Sequence, residues 1–192
     1  MRQWTIVKAI LGVSVFIFIS IFLINGIEEE ALRINIRLSA RFAGILFCIA
    51  FGASAFQYFK KGMFSFWLLS NRKYFGISYA LIHTIHLGFL GFLQFNFHPV
   101  FSQAMLTSLL GGGMAYLFTF LMLITSFDAI RQKIKPQIWL SLHTIGGYWI
   151  WSIFMISYIK RVDTELSYLP LIVLFVAVVV LRLLKLLNLG KS

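Results

Sequence analysis

Acidic residues are scarce in this chain. Six Asp and Glu stand against seventeen Lys and Arg in 192 residues. All six (Glu28, Glu29, Glu30, Asp128, Asp163 and Glu165) fall between apolar runs, and from Tyr74 to Phe127 there is no Asp, Glu, Lys or Arg at all. Proton-coupled transporters usually carry carboxylates within the membrane, and ion channels often ring their pores with charge. Neither pattern is present. A hydrolase built on histidine-bound zinc lacks a carboxylate to serve as general base. The one cysteine, Cys48, sits in an apolar run. It excludes an internal disulfide and a CxxC redox pair, and it reads as a small buried residue. Solvated linkers, low-complexity tracts and internal repeats are also missing.

What the chain has is apolar surface. It is 60% hydrophobic and 17% aromatic, only 12% of it is charged, and its mean hydropathy is +0.89. No soluble domain of this size hides so much, so the sequence predicts an integral membrane protein in contact with lipid. The net charge of +11 does not point to nucleic acid, because the basic residues flank the apolar runs. Six runs stand out: Thr5–Ile24, Phe42–Phe59, Tyr74–Phe95, Met105–Phe127, Trp139–Ile159 and Tyr168–Leu187. Backbone polar groups in lipid must pair within their own segment, so each run is expected to be an α-helix. The expected fold is one all-α domain over residues 1–192, a bundle of six transmembrane helices. Little room remains for a soluble flavin or nicotinamide domain. The first run has no small-x-small cleavage site after it and is kept as a span. The last is interrupted by Arg182 and Lys185, whose long side chains are expected to snorkel to the interface.

Loop charges give an orientation. Twelve basic residues, among them Lys60, Lys61, Arg72, Lys73, Arg131, Lys133, Lys135, Arg182 and Lys185, collect on one side. Five (Arg33, Arg37, Arg41, Lys160 and Arg161) collect on the other. The positive-inside rule then places both termini in the cytoplasm, in the cell inner (plasma) membrane.

The ionisable groups left well inside the membrane are His83, His86 and His143; His98, before Pro99, reads as an interfacial loop residue. Neutral imidazoles facing one another across an acid-free bundle suit haem iron. His83 and His86 are three residues apart and share one helix face. Gly146 and Gly147 follow His143 by three and four residues on its face, where they either leave room for a flat macrocycle or form a notch for close helix contact. Counted from Tyr74, His83 is nine residues into its run. His143 is four past Trp139. At about 1.5 Å per residue the two are expected within about one turn of the same depth, with His86 a turn deeper. Either third-helix histidine is thus a candidate partner of His143.

These residues resemble a family. "NRKYFGISYALIHTIH" and "LITSFDAIRQKIKPQIWLSLHTIGGYW" are similar to the third helix and the fourth-to-fifth helix block of the ferric reductase-like transmembrane domain, over about residues 40–185. The resemblance implies a six-helix bundle with b-type haem between the third and fifth helices. His86, counted from Gly76, and His143, counted from Trp139, match the family histidines, with His83 additional or shifted. The metal ligands expected are therefore His143 with His86 or His83, and Gly146 and Gly147 are expected beside the cofactor. The family's second fifth-helix histidine falls at Ile156, so one haem is expected, not two. The implied function is transmembrane electron transfer, an oxidoreductase role with a redox partner protein, fed by a quinone pool or by a partner's flavin. Arg72 and Lys73, or Arg33, Arg37 and Arg41, are candidates for the haem propionates, with membrane-interface anchoring the favoured role. Two other functions stay open: a haem-free scaffold or partner subunit, and a small-solute permease with a histidine-lined cavity.

Overall fold

The structure is a computed structural model and describes residues 3–97 and 103–189, with side chains described throughout except over 103–109 and at 189. It is all helical, with no strand among the described residues. Helix α1 spans Gln3–Asn25, α2 Glu29–Phe59, α3 Met63–Phe97, α4 Gln103–Ile124, the single turn α5 Asp128–Arg131, α6 Pro136–Val162 and α7 Leu169–Leu189, the last preceded by a 3-10 turn over Leu166–Tyr168. The long helices run from 21 to 35 residues. Four of them, α1, α2, α3 and α7, are long and apolar enough to cross a membrane. Apolar side chains on their outer faces stay uncovered, as lipid contact requires; Phe16 and Leu23 are 72% and 80% exposed. The expected third, fourth, fifth and sixth spans correspond to α3, α4, α6 and α7.

Local chemistry fixes the helix ends. Gly26 turns the chain after α1 with φ +72, a left-handed backbone that glycine adopts without steric penalty. Glu29 and Glu30 occupy the first turn of α2, where the helix dipole favours negative charge. Pro136 opens α6, at a position where its missing N–H is no loss. Inside the helices, hydroxyls return to the carbonyl one turn back, as Ser78 does to Tyr74 and Thr119 to Ala115, both at 2.8 Å. Side chains that satisfy themselves in this way can lie in an apolar bundle.

Two helices start earlier than the apolar runs suggested. α2 begins thirteen residues before Phe42, and α3 eleven before Tyr74. The added segments carry Arg, Asn and Ser, so a hydropathy reading stops short of them. They are helical because one face still packs: Leu32, Asn35 and Ser39 are buried in the added part of α2, and Ser65 and Asn71 in that of α3.

α2 packs against α1, α3 and α7, while α4 packs mainly on α6. Between them lies an aromatic core. Phe47 stacks on Phe51, Phe154 and Phe175 at centroid distances of 5.1–6.0 Å. Tyr158 is 1% exposed and donates its hydroxyl proton to the Ala40 carbonyl, 3.1 Å away. Gly44 on α2 makes room for it: a Cβ there would overlap Tyr158 Oη. At the far end of the bundle from the histidine described next, Arg41 holds Glu165 and Ser167 and lies over the Tyr168 ring, while Arg33 pairs with Glu29. These two arginines are engaged with their own protein.

Candidate functional site

His143 lines a cavity of about 480 Å³ at the end of the bundle that carries Arg72, Lys73, Arg131 and Arg182. Its ring stacks on Trp139 at 4.1 Å, and its Nε2 lies 3.1 Å from Thr125 Oγ1 on the segment after α4. The Thr125 hydroxyl has one proton and gives it to the Leu121 carbonyl at 2.7 Å. Its oxygen is therefore the acceptor for His143 Nε2–H, which leaves the ring's lone pair on Nδ1. Trp139 Nε1–H donates to the Thr125 carbonyl at 3.1 Å. Arg131 covers the Trp139 ring at 4.6 Å.

Arg182 also reaches this cavity. It does not snorkel outward as expected. Its Nη1 donates to the Phe51 carbonyl at 2.7 Å, and its guanidinium lies 3.9 Å from the Phe51 ring centroid. Lys185 likewise turns inward, to the Ser54 carbonyl. The physical reason is that α2 presents backbone oxygen and an aromatic face one helix away. The sequence signal was there, in two cations three residues apart within an apolar run, and it has two readings: outward to water or inward to α2.

The other two histidines lie elsewhere. His83 is 8% exposed and is enclosed by four rings: Tyr116 at 4.4 Å, and Tyr79, His86 and Phe154 each at 5.4 Å. Its Nδ1 is buried and without a hydrogen-bond partner among the described residues. His86 Nδ1 is 3.1 Å from the Ile36 carbonyl and 3.0 Å from Ser39 Oγ. A carbonyl only accepts, so the proton is on Nδ1. Neither ring lines the His143 cavity.

The depths differ as well. His83 meets Phe154, which stands eleven residues beyond His143 on α6, about 16 Å along the axis at 1.5 Å per residue. The expected shared depth was counted from Tyr74, whereas α3 starts at Met63. The early start shifts the register between α3 and α6 by several turns. Gly146 and Gly147 do not open a slot. A Cβ on Gly146 would lie 2.9 Å from Met122 Sδ and 3.0 Å from the Phe118 ring, and one on Gly147 would lie 2.8 Å from the Phe51 ring. They are notches filled by neighbouring helices. Ile156, at the family's second histidine position, is 50% exposed and faces outward. His98 lies outside the described residues.

A haem gripped by His143 and by His83 or His86 therefore does not fit this packing. The imidazoles share no gap, and Tyr79, Phe47 and Phe154 occupy the space between their levels. Among the described residues no three His, Cys, Asp or Glu side chains converge. Comparison with family models, with curated proteins and with solved structures finds no match.

The His83 environment makes a prediction. A ring nitrogen buried without a partner destabilises, while the stacking needs only an aromatic ring. His83→Phe is expected to fold normally and to equal or exceed the parent in stability by up to about 1 kcal/mol. Thermal unfolding of the two purified chains checks this, and a loss larger than that gain would show that Nδ1 has a partner.

Proposed function

We propose that all six long helices cross the cell inner membrane with both termini cytoplasmic, and that the protein is a ligand-binding membrane subunit whose site is the cavity at His143. The orientation rests on the basic excess of one side. In that orientation the cavity opens toward the cytoplasm. One observation carries the functional reading: three arginines and a lysine line a single cavity, and its one carboxylate, Asp128, is taken by Lys73 at 2.8 Å. Uncompensated charge in a protein wall is unfavourable, and an anionic ligand relieves it. A haem-free subunit, or a permease for a small anion, is the class that this supports best.

A second reading is favoured by the place of His143 in the same wall. Here the electron-transfer function that the motif resemblance implies would rest on His143 alone. His143 would hold a haem, the rim arginines would neutralise its carboxylates, and Phe47, Phe51 and Leu123 would provide the apolar floor. The group would supply one-electron chemistry, and the chain would orient it and exclude water. His83 and His86 have no part in this arrangement.

An absorbance spectrum before and after dithionite, on protein from haem-supplemented cells, tests the choice. A colourless preparation is the expected result. A Soret band with sharp reduced α and β bands, lost in His143→Ala and kept in His83→Ala and His86→Ala, would establish the second reading instead. Loss of the bands in His83→Ala or His86→Ala would restore the two-histidine mode and defeat both.

A further inference from the structure

Most of the cavity's neutral donors are committed: Thr125 to the Leu121 carbonyl, Ser126 to the Met122 carbonyl at 2.6 Å, Trp139 to the Thr125 carbonyl, and His143 Nε2–H to Thr125 Oγ1. The hydroxyls of Ser54 and Thr144 are left. Lys73 is held by Asp128, but the three arginines keep donors to spare. Among the described residues Arg72 has no hydrogen bond, ion pair or aromatic cover, although it lines the cavity. Arg182 uses Nη1, but its Nε is buried without a partner. Arg131 makes one long bond, 3.4 Å, to the Ile134 carbonyl. A neutral polar ligand would find two free hydroxyls, whereas an anion would find three guanidinium groups.

Guanidinium forks bind planar carboxylates or tetrahedral phosphoryl groups in bidentate fashion. Three forks exceed what one carboxylate can accept, whereas a phosphoryl group brings three acceptor oxygens and close to two negative charges. A volume of about 480 Å³ lies in the range of small-molecule sites, roughly 300–1,000 Å³. It is far larger than one phosphate, so the ligand has an organic body, and the Trp139–His143 stack with Phe51 gives that body an aromatic wall.

Resting on the ligand-binding reading above, we infer that the cavity is a phosphoryl site: Arg72, Arg131 and Arg182 hold the phosphate of an organic phosphate ester. Two sources share this chemistry, a soluble phosphate monoester and phosphatidic acid, the phospholipid whose headgroup is itself a phosphate monoester.

The test uses the full chain, in detergent after removal of lipid and in nanodiscs of phosphatidylcholine with or without phosphatidic acid. The probes are phenyl phosphate, inorganic phosphate and benzoate. Binding is read by calorimetric titration and by heat unfolding followed through labelling of Cys48, the chain's one thiol, which is 2% exposed when folded. Phenyl phosphate is expected to bind at least tenfold tighter than benzoate and tighter than inorganic phosphate. Arg72→Gln should weaken it at least tenfold and Arg72→Lys less, while the unliganded unfolding temperature stays unchanged. Protection by phosphatidic acid without phenyl phosphate binding, lost in Arg72→Gln, supports the same site and names the lipid as source. If Arg72→Gln fails to fold, Arg131→Gln takes its place with the same expectation. Equal binding of benzoate overturns the phosphoryl assignment and leaves the ligand cavity standing. Binding unchanged in the arginine variants overturns the assignment, and failure of every probe together with absence of protection by the lipid overturns the assignment and the cavity reading together.

Discussion

Gly44→Leu is expected to lower stability by about 3 kcal/mol, the upper part of the range for overpacking a filled core. Even one added carbon at this position meets the Tyr158 hydroxyl, with Tyr158 Cζ at 3.2 Å and Phe175 at 3.5 Å behind it. Tyr158 has nowhere to retreat. It is 1% exposed, packs against Phe154, Tyr168 and Phe175, and is tied to the Ala40 carbonyl. Moving it breaks a hydrogen bond in an apolar interior and opens the contact of α2 with α6 and α7. Lipid offers no hydrophobic drive to hold helices together, so close packing is what is lost. Labelling of Cys48 during heating measures the effect, since the thiol reacts only when the bundle opens. Gly12→Leu is the control, because nothing lies within 4 Å of a Cβ there, and its stability should stay within about 0.5 kcal/mol of the parent. Gly44→Ala combined with Tyr158→Phe should be less unstable than the two single changes added together, because the second removes the atom that the first collides with.

Arg182→Ala should cost about 2 kcal/mol. A hydrogen bond from a charged group contributes roughly 1.5–3 kcal/mol, and a partly desolvated cation over an aromatic ring roughly 1 kcal/mol. Arg182 makes both, to the carbonyl and the ring of Phe51. Removing its charge also relieves repulsion with Arg72 across the cavity, which offsets part of the loss. Arg182→Lys keeps the charge without the fork and should fall between. The same unfolding measurement reads all three chains; no loss in Arg182→Ala would mean that the guanidinium is held only by the ligand.

The helical class and the lipid-facing surface were legible because both depend on apolar runs, which any span must have. The isolation of the histidines from charge was legible for His83, which is enclosed by rings, and not for His143, which shares its cavity with four cations. Helix starts were not, since Glu29–Arg41 and Met63–Lys73 are helical segments with polar faces, and hydropathy marks lipid contact, not backbone hydrogen bonding. That gap propagated. Eleven unread residues at the start of α3 displaced His83 from the level of His143 to that of Phe154. Gly146 and Gly147 allowed two readings because a glycine face admits a ligand or a helix equally, and only the positions of Met122, Phe118 and Phe51 choose. Arg72 was read as a cation at the boundary; that it shares one cavity with Arg131 and Arg182 depends on how α3, α5 and α7 meet.

The length of α3 has a bearing on traffic. Its 35 residues reach about 52 Å at helical rise, against about 30 Å of hydrocarbon. If, in the orientation proposed, Asn71, Arg72 and Lys73 mark the water boundary, the surplus would jut past the acyl chains at their end and carry the cationic chamber up to headgroup height. A solute would then arrive and depart there as at a porch, without entering the oily interior. A carrier that moved the same solute across would have to open a second door where His83, Tyr79, Tyr116 and Phe154 now close ranks.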